Sequence, residues 1–479
     1  MASALAFVEP MARAKSPNQN DPALLFLARS SYGVKRQDYK KIKKIGIKAY
    51  LEEQLDYENI EDSLADKKML GLSILNLERR ELYSLQNSGP RASQALLNAF
   101  ITRRVYSQKQ LFEKMVEFWS DHFNIPSEVQ SEEIVIFQRE VIRKNALGNF
   151  KTMLFATAKS PAMLQYLDNA NNIAEHPNEN YARELMELHS LGVDGGYSEH
   201  DVKEVARAFT GWTINDSTKD GFIFEGIDHD KDEKLILGHH LPANRGIEDG
   251  LHVLNILANH PSTAHYISFK LCRRFIADNP PESIVNKLAE IYIKEKAEIK
   301  PILRALFSSE EFYASSGQKL RRPLDFLIAS LRATNSEIYD NWLLEQTLMD
   351  LDQVPFGWHP PDGYPDLAQK WATTNGLLNR WKVANMLSFQ SSSTDEYGLY
   401  GDLMANHKNL SELKTVKDLV EELSTQIFGT VLAEDRLEPF VNFASDNAGE
   451  NEPVNKFLLA RKLASLYSLM LSSKDFQWT

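Results

Sequence analysis

Apolar residues recur at spacings of three and four along most of this chain, a period that commits it to helices packed face to face. Leu24, Leu25, Leu27 and Ala28 open the pattern after Pro22, and Tyr39, Ile42, Ile45, Tyr50, Leu51 and Leu55 continue it. It returns in Leu96, Leu97, Phe100, Val105, Leu111, Met115 and Phe118, and again in Ile134, Ile136, Phe137, Val141, Ile142, Leu147, Phe150 and Leu154. Further helices are expected over 251–277, 283–296, 323–334, 377–387, 416–427 and 452–471. Two stretches break the period. Gly221 to Phe224 and Lys234 to Leu237 are β-prone runs around an acidic turn, which predicts a short β-hairpin near residues 221–238. Pro355 to Pro365 carries too many prolines for regular structure. The expected fold class is therefore mainly α, a large multi-helix body with that hairpin inserted. Residues 1–21 read as a flexible N-terminal segment. Residues 22–479 then form a single helical domain, with two lobes, 22–250 and 251–479, as the alternative. One short echo, Phe307 to Phe312 against Leu471 to Phe476, fits either a duplicated unit or two helices ending by the same chemistry.

A chain of 479 residues can bury a large core without disulfides or metals. Its formal net charge of −12, from 66 acidic and 54 basic residues, argues against broad binding to nucleic-acid phosphate or anionic lipid. Lys40, Lys41, Lys43, Lys44 and Lys48 cluster, but at helical spacing they read as a solvated face. The single cysteine, Cys272, excludes an internal disulfide, and its amphipathic surroundings predict a buried thiol. Met1 to Pro10 lacks a basic start and is broken by Glu9 and Pro10, so it makes a poor secretory signal. No stretch approaches the roughly 20 apolar residues of a membrane-spanning helix. A cytoplasmic location is the default expectation.

Motifs for the commonest chemistries are missing. Without Gly-x-Ser-x-Gly, a Walker loop, Gly-x-Gly-x-x-Gly or Cys-x-x-Cys, the sequence disfavours serine hydrolases, NTPases, dinucleotide enzymes and zinc ribbons. No nucleotide cofactor is indicated, and the cofactor stays unknown. His122, His189, His229, His239 and His240 are candidate ligands, yet His-Glu-x-x-His and Glu-x-x-His are both absent. His122, Glu187, His229 and Asp230 form the remaining metal arrangement, drawn from distant segments, and a metal is the less favoured reading. Asp228 to Asp232 alternates carboxylates like a calcium loop, but Glu233 and His239 stand where glycine and glutamate are required. A solvated acidic turn fits it better.

The densest polar cluster lies between Asn178 and His189. Asn178 or Asn180 suits a helix cap, Arg183 and Glu187 are spaced to pair, and Gly192 with Gly195 and Gly196 ends the helix. Either these charges form a buried network that fixes packing, or Glu184 or Glu187 serves as acid, base or ligand in a polar pocket. Trp119, Trp212, Trp358, Trp371 and Trp381 all sit beside polar residues, an arrangement that suits sugar rings, although burial in the core competes for each. The proline-rich loop is the exception, since Trp358, His359, Asp362 and Tyr364 read as lining a cleft.

The block Asn178 to Val193, continued by Gly195 to Ser198, Asp201-Val202 and Ala206 to Trp212, resembles the signature of the bacterial family catalogued as domain of unknown function 1800. Phe118 to Phe123, Val141 to Arg143, Ala146 to Phe150 and Ser160 to Met163 are similar ahead of it. His229-Asp230, His260 to Ala264, Pro280-Pro281, Pro361 to Pro365 with Trp371, and Ser473 to Gln477 follow in order. The resemblance implies a largely helical protein with no settled activity. It also implies a gene neighbour encoding an exported, sulfatase-like protein, hence envelope or polysaccharide work and a periplasmic alternative to the cytoplasm. The expected catalytic candidates are Glu184, Glu187, His122, His229 and Asp230. The expected ligand contacts are Asn178, Asn180, Arg183, Trp212, Trp358, His359, Asp362 and Tyr364. The leading expectation is an enzyme or binding protein with a polar cleft for a saccharide-like or other polar substrate. The alternative is a non-catalytic helical scaffold for a sulfatase-like partner.

Overall fold

The first helix, α1 (Pro22–Ser30), begins where Asp21 accepts a hydrogen bond from the Ala23 N–H and proline fills the first turn, both standard helix-starting chemistry. The structure, a computed structural model, describes residues 21–479 except 130, 216–220, 339–340, 390–398, 401–402 and 404–411. Apart from Asp21, the N-terminal segment expected to be flexible lies outside the described residues. The rest is mainly helical, as the apolar period predicts. The main apolar cluster runs from Ala23 to Phe476, and a small second one joins Leu320, Ala368, Trp371 and Trp478.

Two helices at the centre are buried on every side. They are α3 (Gln110–His122), which follows α2 (Ser88–Tyr106), and α8 (Pro323–Thr334). A helix sunk this deeply must find partners for its charges. Lys114 meets Asp325 at 2.6 Å, and Arg274 contacts both Glu117 and Asp325 at 3.1 Å. Arg322 binds Glu117 and reaches Asp121 at 2.6 Å, while Arg143 holds Glu113 at 2.7 Å. This buried ionic framework pins the central helices to one another.

The signature cluster forms α4 (Glu179–Glu187), followed by α5 (Glu199–Ala208). Asn178 caps α4 by accepting from the Asn180 N–H at 2.9 Å. Helix α6 (Glu248–Ala258) leads into α7 (Pro261–Phe275), whose Cys272 is buried, and burial pushes that thiol up to about 12. Beyond α8, the longest helices are α9 (Thr374–Phe389), α10 (Val416–Phe428) and α11 (Lys456–Ser472). Ser309 and Ser473, the matching serines of the internal echo, each precede a short helix that follows a longer one, and only the Ser309 side chain caps it. Lys40, Lys41, Lys43, Lys44 and Lys48 are exposed. Among the described residues, no helix is long and apolar enough to cross a membrane.

The β-prone runs are strands, but they do not pair with each other. Strand β1 (Trp212–Asn215) pairs antiparallel with β2 (Gly221–Phe224), and β3 (Lys234–Ile236) with β4 (His239–Leu241). Leu237 and Gly238 both take positive φ, the two-residue turn that folds β3 straight back onto β4. Trp212 draws β2 to β1 instead, because its indole is fully buried and packs at a tilt 5.1 Å from the Phe222 ring. A third short pair joins Glu337–Ile338 to Leu399–Tyr400.

Candidate functional site

Helix α7 sets Tyr266 and Lys270 one turn apart on a single face. The Lys270 Nζ donates to His122 Nδ1 at 3.0 Å, and His122 Nε2 lies 3.1 Å from the His189 carbonyl. Because a carbonyl only accepts, the His122 proton sits on Nε2 and Nδ1 is the acceptor for lysine. Burial, reinforced by Lys270 and His189, drives the His122 pKa well below its usual value, so the imidazole is neutral. Burial also lowers Lys270 to about 8, against the pull of Asp121, Asp362 and Asp366. Its ammonium lies 5.5 Å from the centre of the Tyr266 ring. Gly192 closes the arrangement: a Cβ there would sit 3.0 Å from Tyr266 Cδ2, so only glycine lets the end of α4 rest on that ring.

The proline-rich loop is irregular, as expected, and it is tightly docked on the end of α3. Asn124 Nδ2 donates to the carbonyls of Trp358 at 2.7 Å and Pro360 at 2.8 Å. Tyr166 donates its hydroxyl to the His359 carbonyl, and Tyr364 donates to the Val354 carbonyl at 2.8 Å. Gly363 takes φ +73, and a Cβ there would fall 2.0 Å from the Asp121 carbonyl oxygen. Trp358 Nε1 donates to Asp362 Oδ1 at 2.8 Å, aiming one carboxylate oxygen and leaving the other to solvent.

Glu184 and Glu187 on α4 are half-buried and face this loop. Burial, joined by the charges of Glu187 and Asp362, raises the Glu184 carboxyl above its ordinary range. Burial with Glu184 and Asp362 pushes the Tyr166 phenol up to about 12, and Tyr266 reaches about 12 through burial, Glu187 and Asp362. Tyr197, whose hydroxyl stands 3.5 Å from Glu187 Oε2, reaches about 12 through burial and Glu187. Three neutral phenols, three carboxyl groups and one amine therefore share a neighbourhood. Among the described residues, neither Glu184, Glu187 and Asp362 nor Lys270 makes an ion pair.

Other candidates lie elsewhere. Arg183 pairs with Glu199 at 2.7 Å and Glu179 at 3.2 Å, not with Glu187 as its spacing suggests, because α5 brings Glu199 across the outer face of α4. Asn178 is consumed as a cap, and Asn180 Nδ2 donates to Asp168 at 3.4 Å. Trp212 is core, and a Cβ on Gly250 would strike its indole. The His359 ring is exposed, 3.7 Å from Glu128, while the Tyr364 ring lies tilted against Trp358 at 5.0 Å.

His229 and Asp230 do not join Glu184 or His122. His229 Nδ1 faces the Thr210 carbonyl at 2.8 Å and its Nε2 lies 3.4 Å from Asp249. Asp230 takes a two-pronged grip from Arg207, at 2.7 and 3.0 Å. The acidic turn expected to be solvated is so only in part: Lys231, Asp232 and Glu233 are exposed, while His229 is buried and Lys234 is buried against Asp249 at 2.9 Å. Among the described residues, no three His, Cys, Asp or Glu side chains converge as a metal set, so the four-residue metal arrangement is not assembled.

Sequence reasoning missed Lys270, Tyr266, Tyr166 and Tyr197. The only available signal was the Tyr-x-x-x-Lys spacing on α7, which any amphipathic helix can carry. No curated protein and no solved structure matches the chain. The family described as protein of unknown function (DUF1800) matches residues 25–478, nearly the full length. On that match the chain belongs to the DUF1800 family.

Proposed function

We propose that this chain binds a polar, hydroxyl-rich ligand of saccharide type at the Glu184–Asp362–Lys270 site and acts on it there. One observation supports the reading above the rest: the charges of this site are unpaired, while the other charged residues of the same blocks have contact partners. Arg183 has Glu199, Arg207 has Asp230 and Lys234 has Asp249. Glu184 in particular is half-buried with neither an ion pair nor a hydrogen bond to its carboxylate among the described residues, which costs stability, a cost that function accounts for and packing does not. The chemistry suits sugars. Carboxylates accept from ring hydroxyls, neutral phenols donate, and the faces of Trp358 and Tyr266 suit the C–H face of a pyranose.

The test is calorimetric titration of the folded protein with neutral, amino and uronic-acid oligosaccharides. We expect one class to bind, and Glu187→Gln and Tyr266→Ala each to weaken it by roughly tenfold, the scale of one lost charged or aromatic contact. Binding by no class, or undiminished in both variants, overturns the reading.

A docking role beside a sulfatase-like protein is the second reading, favoured by a shallow apolar groove where Trp381, Phe389, Phe443 and Leu469 meet between α9 and α11. Exposed apolar surface of this kind marks partner sites. Co-purification with that partner, lost in Trp381→Glu, is the expected outcome. Equal recovery by both forms removes this reading.

A further inference from the structure

Resting on that reading of the site, we propose that Lys270, oriented by His122, is its proton acceptor, taking the proton of a bound ligand hydroxyl. The ligand O–H bond breaks, an Nζ–H bond forms, and the electron pair stays on the ligand oxygen.

The geometry carries this assignment. Three other lysines sunk in this fold are held by contact carboxylates: Lys114 by Asp325 at 2.6 Å, Lys319 by Asp278 at 2.7 Å, Lys234 by Asp249 at 2.9 Å. Lys35, lowered to about 7 by the Arg332 charge and burial, has no such contact among the described residues and lies away from this site. A carboxylate contact favours the ammonium and occupies its N–H groups, although burial still lowers Lys114 to about 8. Lys270 has instead a neutral imidazole nitrogen at 3.0 Å. His122 cannot take up the proton itself, because it is packed among Phe118, Trp119, Phe123 and Phe150 and its other nitrogen serves the His189 carbonyl. It is a positioning residue: it fixes one N–H of the amine and leaves the lone pair of the neutral form to face the ligand.

The charged and titratable groups around Lys270 come from every element packed on it. They are Asp121 and His122 from α3, His189 from the turn after α4, Tyr266 and Arg273 from α7 itself, and Asp362 and Asp366 from the proline-rich loop. The three aspartates act without contact. They stabilise the ammonium once it forms, but none holds it at a hydrogen-bond distance beforehand. Glu184, whose carboxyl is raised above its ordinary range, complements the amine as the group able to return a proton to the ligand.

The test is trace acetylation of the intact protein from pH 6 to 11, read lysine by lysine through peptide mass spectrometry, and it needs no ligand. An amine titrating at about 8 holds roughly two-hundredfold more neutral form at pH 7.5 than an ordinary lysine. Lys270 should therefore label roughly tenfold or more faster than the exposed Lys40 and Lys48, after allowing for its restricted access. His122→Asn, which keeps an acceptor oxygen near the Nδ1 position, should preserve that profile, and His122→Leu should shift its midpoint. Lys270 labelling like Lys40, or staying inert while Lys40 reacts, overturns the proposal. An unchanged midpoint in a folded His122→Leu protein removes His122 from it. Saccharide binding with ordinary Lys270 labelling sinks the proton acceptor alone. Early Lys270 labelling with no saccharide bound sinks the ligand class alone.

Discussion

The 3.0 Å bond from Lys270 Nζ to His122 Nδ1 joins α7 to the end of α3, so the amine of a part-buried lysine is tied to a fully buried imidazole. Around it, the fold separates two kinds of charge. Glu113, Glu117, Asp325, Arg274 and Arg322 lie in the interior and are paired by contact. Glu184, Glu187 and Asp362 lie at the edge, acidic and unpaired, against three tyrosines. The first group holds the helices and the second is available to a ligand.

That separation predicts opposite outcomes for two acids that sequence spacing places in one site. Asp230→Asn removes the two-pronged partner of Arg207 and should cost about 1–3 kcal/mol of stability. Glu187→Gln should stay within about 0.5 kcal/mol of wild type and weaken ligand binding instead. Urea denaturation of both variants decides it. A stable Asp230→Asn protein beside a destabilised Glu187→Gln protein would reverse the assignment.

The docked loop depends on one backbone approach. Gly363→Ala places a Cβ 2.0 Å from the Asp121 carbonyl oxygen at a left-handed φ, so the loop must lift from α3. The combined strain should amount to about 2–5 kcal/mol. Gly196 is also left-handed but has open space around it, and its alanine variant should cost only about 1–2 kcal/mol. Proteolysis between Pro355 and Pro365 should accelerate in the first variant alone. Similar midpoints and similar cleavage in the two would refute the steric argument.

Local order was legible in the sequence, and distant partnership was not. Pro323 to Thr334 forms the helix that its spacing predicts, and Asn178 caps the signature helix as its side chain suggests. Both are decided within a few residues. Arg183 shows the limit: its spacing favours Glu187, yet Glu199 arrives from the next helix and takes it. The β-prone runs were recognised but joined wrongly, because their pairing turns on the burial of Trp212 and the left-handed Leu237-Gly238 turn. At the site, Glu184, Glu187 and Asp362 were legible as polar residues in unusual blocks. Lys270 was not, because what distinguishes it is an imidazole 148 positions away.

The central ionic framework makes a prediction of its own. Asp325 touches Lys114 at 2.6 Å and Arg274 at 3.1 Å in a fully enclosed setting. Asp325→Asn leaves two buried cations facing a neutral amide and should cost about 3–5 kcal/mol. Adding Lys114→Met removes one of those cations and should recover part of the loss. Equilibrium unfolding of the single and double variants measures this coupling. A single variant within about 1 kcal/mol of wild type would show the framework to be dispensable.

His189 links the core to acid. Its ring is buried, neither ring nitrogen has a hydrogen-bond partner, and burial, with Lys270 nearby, lowers its pKa to about 3. An unfolded histidine titrates near 6.5, so above that pH both states are neutral and the group makes no difference. As pH falls through 6.5 the unfolded chain binds a proton that the folded chain refuses, and stability drops by about 1.4 kcal/mol per unit. By pH 5 that loss reaches roughly 2 kcal/mol for this residue, and the depressed His122 adds a loss of the same sign. His189→Leu gives up no hydrogen bond of the ring and should make the fall between pH 7.5 and 5 shallower by roughly 2 kcal/mol. Denaturant unfolding across that range measures the difference directly. Parallel profiles for the two proteins would mean that His189 takes up its proton inside the folded core.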